Sequence, residues 1–175
     1  ISTDTYDAEG TITNEQDATK LKKQEVEKAL NQFRGMISQE PPMYSALKHE
    51  GKRLYELARQ GIVVERKMRK AVVHSMVMIK WDPPKTTLDI DCGRGTYVRS
   101  LAHDLGEVLG IGAHLSGLIR LRNGPFDIKD AISPSQFEAA VNTNCWQELV
   151  YPTDFAITGM PAAILDQRAE RAAMS

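Results

Sequence analysis

Ala71-Val72-Val73-His74-Ser75-Met76-Val77-Met78-Ile79-Lys80-Trp81, followed beyond Asp82-Pro83-Pro84-Lys85 by Thr87-Leu88-Asp89-Ile90-Asp91-Cys92, is the stretch on which the fold turns. Successive side chains of a strand point to opposite faces, so simple alternation puts Val73, Val77, Ile79 and Trp81 on one face of the first segment and Leu88, Ile90 and Cys92 on one face of the second. The Pro-containing turn between them predicts an antiparallel hairpin. Gly93-Arg94-Gly95 then ends the second strand. Thr96 stands where an N-cap would open a helix running to Gly110, with Val98, Leu101, Leu105 and Val108 or Leu109 facing inward.

Upstream of the hairpin, Val26, Leu30, Phe33 and Ile37 recur at helical spacing and predict an amphipathic helix from Lys22 to Ile37. Pro41-Pro42 cannot continue a helix, so Glu40 to Ser45 reads as extended chain. Lys52 to Gln60 reads as a short helix with Leu54 and Leu57 or Ala58 inward, closed by Gly61. Downstream, His114 to Arg122 reads as a further strand ended by Asn123-Gly124-Pro125, and Ser133 to Val141 as a helix capped by Ser133 with Pro134 in its first turn. The pattern restarts after Tyr151-Pro152 and runs to Ser175 in what reads as a helix. The expected fold class is α+β, a mixed and mainly antiparallel sheet with packed helices. The expected division is a domain over 1–150 and the start of a small C-terminal domain over 151–175.

The 175 residues suffice for one good core. No apolar run approaches the roughly 18–20 residues that a membrane span needs. Ile1–Gly10 has neither the basic start nor the apolar stretch of a signal peptide, and both ends read as possible cuts. Cys92 and Cys145 are far apart and His49, His74, His103 and His114 show no ligand spacing, so neither a disulfide framework nor a metal is expected, and a reducing cytoplasm is the natural compartment. The net charge of −1 hides an uneven distribution. Acids outnumber bases up to Leu47, whereas Lys48, Lys52, Arg53, Arg59, Arg66, Lys67, Arg69 and Lys70 outnumber Glu50, Glu56 and Glu65. That field would attract a polyanion, although a merely solvated surface would read the same way.

Three constellations bear on chemistry. Pro41-Pro42-Met43-Tyr44-Ser45-Ala46-Leu47-Lys48 is a rigid aromatic-basic stretch, either a stiff connector with a buried Tyr or a nucleic-acid edge. Gly93-Arg94-Gly95-Thr96-Tyr97-Val98-Arg99 opens a helix whose free amides and nearby Arg99 suit a phosphate or carboxylate, though its spacing fits neither a Walker loop nor a dinucleotide fingerprint, and a plain capped helix would read alike. His103-Asp104 lacks distant partners for metal chemistry and reads as a pair of exposed helix residues. The residues by themselves point to contact with RNA or DNA and to no particular reaction.

Taken together, Thr3-Asp4-Thr5-Tyr6-Asp7-Ala8-Glu9-Gly10, Pro42-Met43-Tyr44-Ser45-Ala46-Leu47-Lys48, Gly51 to Gly61 and Cys92 to Gly106 closely resemble the TruB family of tRNA pseudouridine synthases. The likeness is strong to about Phe126, and Tyr151-Pro152-Thr153-Asp154 resembles the family's lead into its C-terminal RNA-binding domain. The resemblance implies isomerisation of the T-loop uridine at tRNA position 55 to pseudouridine after base flipping, without cofactor or metal. It implies tRNA as partner through the T-arm, no membrane, a monomer and a cytoplasmic setting. It also implies that the nucleophilic aspartate lies upstream of this chain, which as a fragment would then be inactive alone. Of the residues present, Tyr97 would contact the flipped nucleotide, Arg99 would pair with the upstream aspartate, and Leu118 would pack against the base. Tyr44, Lys48, Lys52, Arg53 and Arg59 would contact RNA. Two alternatives remain open, a guide-dependent relative acting on other RNA and a non-catalytic RNA-binding module.

Overall fold

The computed structural model describes residues 1–161, 166, 169, 171 and 172. It divides into two compact units, Ile1–Leu118 and Ile119–Ser175. In the first unit the expected hairpin is the long pair β6 (Arg69–Asp82) and β7 (Lys85–Cys92), antiparallel around the Pro83-Pro84 turn with Asp82 opposite Lys85. Before it in the chain come β1 (Ser2–Thr3), β2 (Ile12–Asn14), helix α1 (Lys23–Leu30), β3 (Gly35–Gln39), β4 (Lys48–His49), β5 (Lys52–Arg53) and helix α2 (Leu54–Arg59). β3 adds to the other edge of β6, giving an antiparallel sheet of order β3-β6-β7. Helix α3 (Val98–Val108) follows β7, and it packs with α1 on the sheet through Val26, Leu30, Phe33, Val73, Met76, Leu101 and Leu105. The α+β class with a mainly antiparallel sheet is therefore as expected.

The faces of β6 differ from simple alternation. Its pairing with β7 slips between Val73 and Ser75 and again between Met78 and Lys80. Each extra residue in a bulge reverses the alternation that follows it. Ala71 and Val73, then Met76 and Met78, then Trp81 turn toward the core. Val77 and Ile79, expected inward, are 48% and 64% exposed. β7 has no such correction, and Leu88, Ile90 and Cys92 lie against the core.

The helix expected from Lys22 to Ile37 is also shorter. α1 ends at Leu30, a 3-10 turn covers Asn31–Phe33, and Gly35 at φ +83° starts β3. Val26, Leu30 and Phe33 are buried as expected, but Ile37 reaches the same core from a strand, opposite Ala71. An open edge on β6 offers alternate backbone amides and carbonyls of 35–39 cross-strand partners, which here outweighs the helical pattern. Thr96 does not cap α3. Tyr97 is the N-cap residue, and Thr96 Oγ1 instead donates to the Gly93 carbonyl at 2.8 Å. His114 to Arg122 forms no continuous strand: Leu115 bridges to Asp7, the Leu121 carbonyl accepts from the Ile128 amide at 2.8 Å, and only Arg122 enters a strand.

In the second unit, β8 (Arg122–Asn123) and β9 (Phe126–Asp127) make a small hairpin, and helix α4 (Pro134–Asn142) follows. Ser133 caps α4 as expected, its Oγ accepting from the Gln136 amide while the Gln136 side chain accepts from the Ser133 amide. Phe126, Tyr151 and Phe155 form a ring cluster with centroids 4.1–5.7 Å apart. The helix expected toward Ser175 falls largely on residues outside those described. Among the described residues no helix is long and apolar enough to cross a membrane.

The two bulges make a direct prediction. Met76→Ala should cost about 2–5 kcal/mol in urea unfolding, whereas Ile79→Thr should change stability by less than about 0.5 kcal/mol. The reverse order, with Ile79→Thr the costlier change, would mean that the alternation runs through unbroken.

Candidate functional site

The site begins with a turn that builds itself from short polar side chains. Thr3 Oγ1 donates to the Asp7 carbonyl at 2.7 Å, Thr5 Oγ1 to Asp7 Oδ1 at 2.6 Å, and the Glu9 amide to the same Oδ1 at 3.1 Å. Asp4 Oδ1 receives the Thr11 amide at 2.8 Å. Thr and Asp suit such local bonding because their oxygens reach backbone amides one or two residues away. Gly10 closes the turn, and a Cβ there would collide with Asp4 and Thr5. Tyr6 sits at φ +65°, with its carbonyl accepting from Leu115 and its amide donating to Thr3.

The first turn of α3 docks on this loop. Arg99 Nη1 donates to Asp7 Oδ2 at 3.0 Å and to the Thr5 carbonyl at 3.3 Å, while Nη2 donates to the Tyr44 carbonyl at 2.7 Å. Both ends of the ion pair are about three-quarters buried, with 27% and 25% of the side chains exposed. A guanidinium carries five N–H donors. Among the described residues these bonds leave Nε and one Nη2 proton without a protein acceptor. Burial raises the Asp7 carboxyl, but the Thr5 hydroxyl, the Glu9 amide and the Arg99 guanidinium together outweigh it and hold the group below the ordinary carboxylate value.

One helical turn beyond Arg99, His103 stacks on Tyr6 with ring centroids 3.8 Å apart and planes within 9°. His103 and Asp104, expected to be exposed, are both part-buried, His103 beneath Tyr6 of the Thr3–Gly10 turn. Burial raises the Asp104 carboxyl; His103 opposes this, and Glu40 and Glu107 add to it. From β3, Gln39 exchanges two hydrogen bonds with the backbone of Tyr97, and Ser100 Oγ donates to the Glu40 carbonyl at 2.8 Å.

The basic residues assemble on a separate scaffold. Lys48 pairs with Arg53 and His49 with Lys52 across a two-residue turn, Glu50-Gly51, both at positive φ. That is the turn whose twist suits a tight hairpin. Arg53 and Arg59 both lie over the Tyr55 ring, at 5.9 and 5.5 Å from its centroid. Beneath them Met43, Leu54 and Leu57 form a small core with Tyr44, Leu47, Ala58 and Val64 at its margin. Pro41 and Pro42 are fully buried, so this stretch is a structural anchor as well as a connector.

The structure therefore groups Lys48, Lys52, Arg53 and Arg59 as exposed side chains on one hairpin-helix unit. It ties Tyr44 to Arg99 through a carbonyl, and puts Tyr97 and Arg99 on one helix start. Leu118 stands apart, 59% exposed in an irregular segment. Sequence reasoning gave Asp7, Gln39 and Tyr55 no role of their own, and it read His103 as an exposed helix residue. The Thr-Asp-Thr-Tyr-Asp run signals a polar turn, but nothing local says that its partner is 92 residues away.

An antiparallel sheet flanked by helices is a fold shared with a solved structure. A chain in the crystal structure of a Cbf5-Nop10-Gar1 complex matches with a TM-score of 0.62 at 24% identity, covering 78% of this chain and 39% of that one. The chain belongs to the TruB family of pseudouridylate synthases: residues 1–98 match the family's N-terminal domain, and residues 99–158 match the tRNA pseudouridylate synthase B C-terminal domain. Relatives called tRNA pseudouridine synthase B are similar throughout. That of Pelotomaculum thermopropionicum is 41% identical over 98% of this chain and 56% of its own length, and that of Dehalococcoides mccartyi (strain ATCC BAA-2266 / KCTC 15142 / 195) 44% identical over 94% and 55%. The one from Clostridium perfringens is 49% identical over 75% and 45%. The chain thus spans about half the length of the curated relatives it matches.

Because the folded Asp7 carboxyl titrates below its unfolded value, the stability it contributes is present at neutral pH and is lost as pH falls through the folded value. Asp7→Asn should lower the urea midpoint at pH 7, and the gap from wild type should close on acidification. A gap that stays constant with pH would rule out the ion pair as its source.

Proposed function

We propose that the protein containing this chain isomerises a uridine to pseudouridine in the T-loop of tRNA. The observation that carries the reading is the Arg99 guanidinium, held by Thr5, Asp7 and Tyr44 with two donors left over, in a chain of this family. Those donors suit a further carboxylate, the nucleophilic aspartate contributed from upstream. A planar cation pinned on one side can hold a carboxylate ionised and aimed on the other.

In the proposed reaction the uridine is flipped out, its C1′–N1 bond breaks, and the base turns so that C1′ bonds to C5, from which a proton leaves. Tyr97 contacts the flipped nucleotide and Leu118 packs against it. The exposed Lys48, Lys52, Arg53 and Arg59, with Tyr44 at the margin of their core, grip the T-arm backbone, where shape and phosphates count more than base edges. Residues 151–175 begin the C-terminal RNA-binding domain. The enzyme works as a monomer in the cytoplasm.

Loss of C5 hydrogen supplies the assay. With the upstream segment present, the protein should release tritium from T-arm RNA labelled at uridine C5. Arg99→Lys, which cannot keep a two-pronged contact, should slow release about 100-fold or more while RNA binding changes little. RNA binding with no tritium release from wild type would leave a non-catalytic binding module.

A further inference from the structure

We infer that Gln39 is a positioning residue for this reaction: its side-chain amide clamps the backbone of Tyr97 and so sets the first turn of α3, from which Arg99 projects. The inference rests on the reading of Tyr97 and Arg99 given above.

β3 ends at Gln39 because Pro41 and Pro42 have no N–H with which to extend the ladder. The side chain takes over where the backbone stops. Gln39 Nε2 donates to the Tyr97 carbonyl at 3.2 Å, and the Tyr97 amide donates to Gln39 Oε1 at 3.2 Å. The carboxamide thus acts as one more rung of a sheet, offering a donor and an acceptor side by side. Its orientation is unambiguous, since a carbonyl can only accept and an amide N–H can only donate. The residue is 2% exposed, a depth at which a polar side chain is retained only when its groups are satisfied. The next residues repeat the tie, with Ser100 Oγ donating to the Glu40 carbonyl. Tyr97 is held extended at φ −93°, ψ 104°, as the N-cap residue, and Arg99 follows two positions later.

Few side chains can replace it. Asn is a methylene too short, and Met would leave the Tyr97 amide without a partner. Glu matches the shape but needs a proton: a protonated carboxyl donates and accepts like the amide, whereas a carboxylate faces the Tyr97 carbonyl with no donor. The charged groups on the surrounding elements are Glu40 beside it, Arg69 opposite it in register, Arg66 ion-paired to Glu40, and Arg99 and Asp104 on the helix. With Arg99 bonded to Asp7, Arg66 to Glu40 and Arg69 exposed to screening solvent, burial and the Tyr97 carbonyl favour the neutral acid at position 39.

The test is tritium release by the full-length protein, comparing wild type, Gln39→Glu and Gln39→Asn from mildly alkaline to mildly acidic pH, with melting temperature and RNA affinity measured alongside. Near pH 8, Gln39→Glu should lose about 10- to 100-fold in kcat with KM little changed. Relative to wild type, it should recover as pH falls and the carboxyl protonates. Gln39→Asn should lose activity without that recovery, which keeps the test intact if Gln39→Glu unfolds at high pH. Wild-type kcat in both variants at every pH, or losses that merely follow melting temperature, would overturn the role of Gln39 alone. No release from wild type would instead sink the proposed reaction.

Discussion

The guanidinium of Arg99 joins three segments that are distant in the chain: the Thr5–Asp7 turn, the Tyr44 carbonyl and the first turn of α3. Hydrogen bonds to charged groups contribute about 1.5–3 kcal/mol each, set against the cost of drawing both charges partly out of water. The balance is favourable here because Asp7 is served by Thr5 and Glu9 as well, so neither charge depends on the other alone. Removing either partner would leave the other part-buried with only neutral hydrogen-bond partners, Thr5 and Glu9 for Asp7 and the Thr5 and Tyr44 carbonyls for Arg99.

The main sheet and its helices hold that cation in place. The sheet β3-β6-β7 and α1 form the base on which α3 lies, with Leu101 and Leu105 in the common core. The end of β3 then reaches over the start of α3, so strand and helix are joined by apolar packing at one end and by polar side chains at the other. The Tyr6–His103 stack covers the next turn of the helix. This division has a physical basis, since apolar contact resists separation but slides easily, whereas paired donors and acceptors set register.

The basic hairpin is stabilised differently. Lys48, Lys52 and Arg53 are exposed on a turn whose shape depends on Gly51 at φ +84°, and its support is the small Met43-Leu54-Leu57 core rather than the main one. A surface that meets a flexible polyanion gains from exposed charge, while a cation that must hold one carboxylate gains from burial and fixed partners. The Tyr44 carbonyl, which accepts from Arg99, is the structural link between the two.

Much of this was legible in the chain itself. The hairpin around Asp82 to Lys85, helix α2 with Gly61 at its end although it starts at Leu54 after Lys52–Arg53 form β5, helix α4 with its Ser133 cap, and the helix carrying Arg99 follow from local pattern, because turn, cap and alternation are short-range chemistry. The four motif stretches likewise carried the family resemblance. Tertiary structure decided the rest. Two bulges moved Val77 and Ile79 out of the core, and a vacant strand edge turned Ile37 from helix to sheet. Asp7 and Gln39 acquired their roles only when α3 came to lie against them, 92 and 58 residues away in sequence. Local sequence determines what each segment can form alone; which donor meets which acceptor across the fold is set when apolar burial brings the segments together.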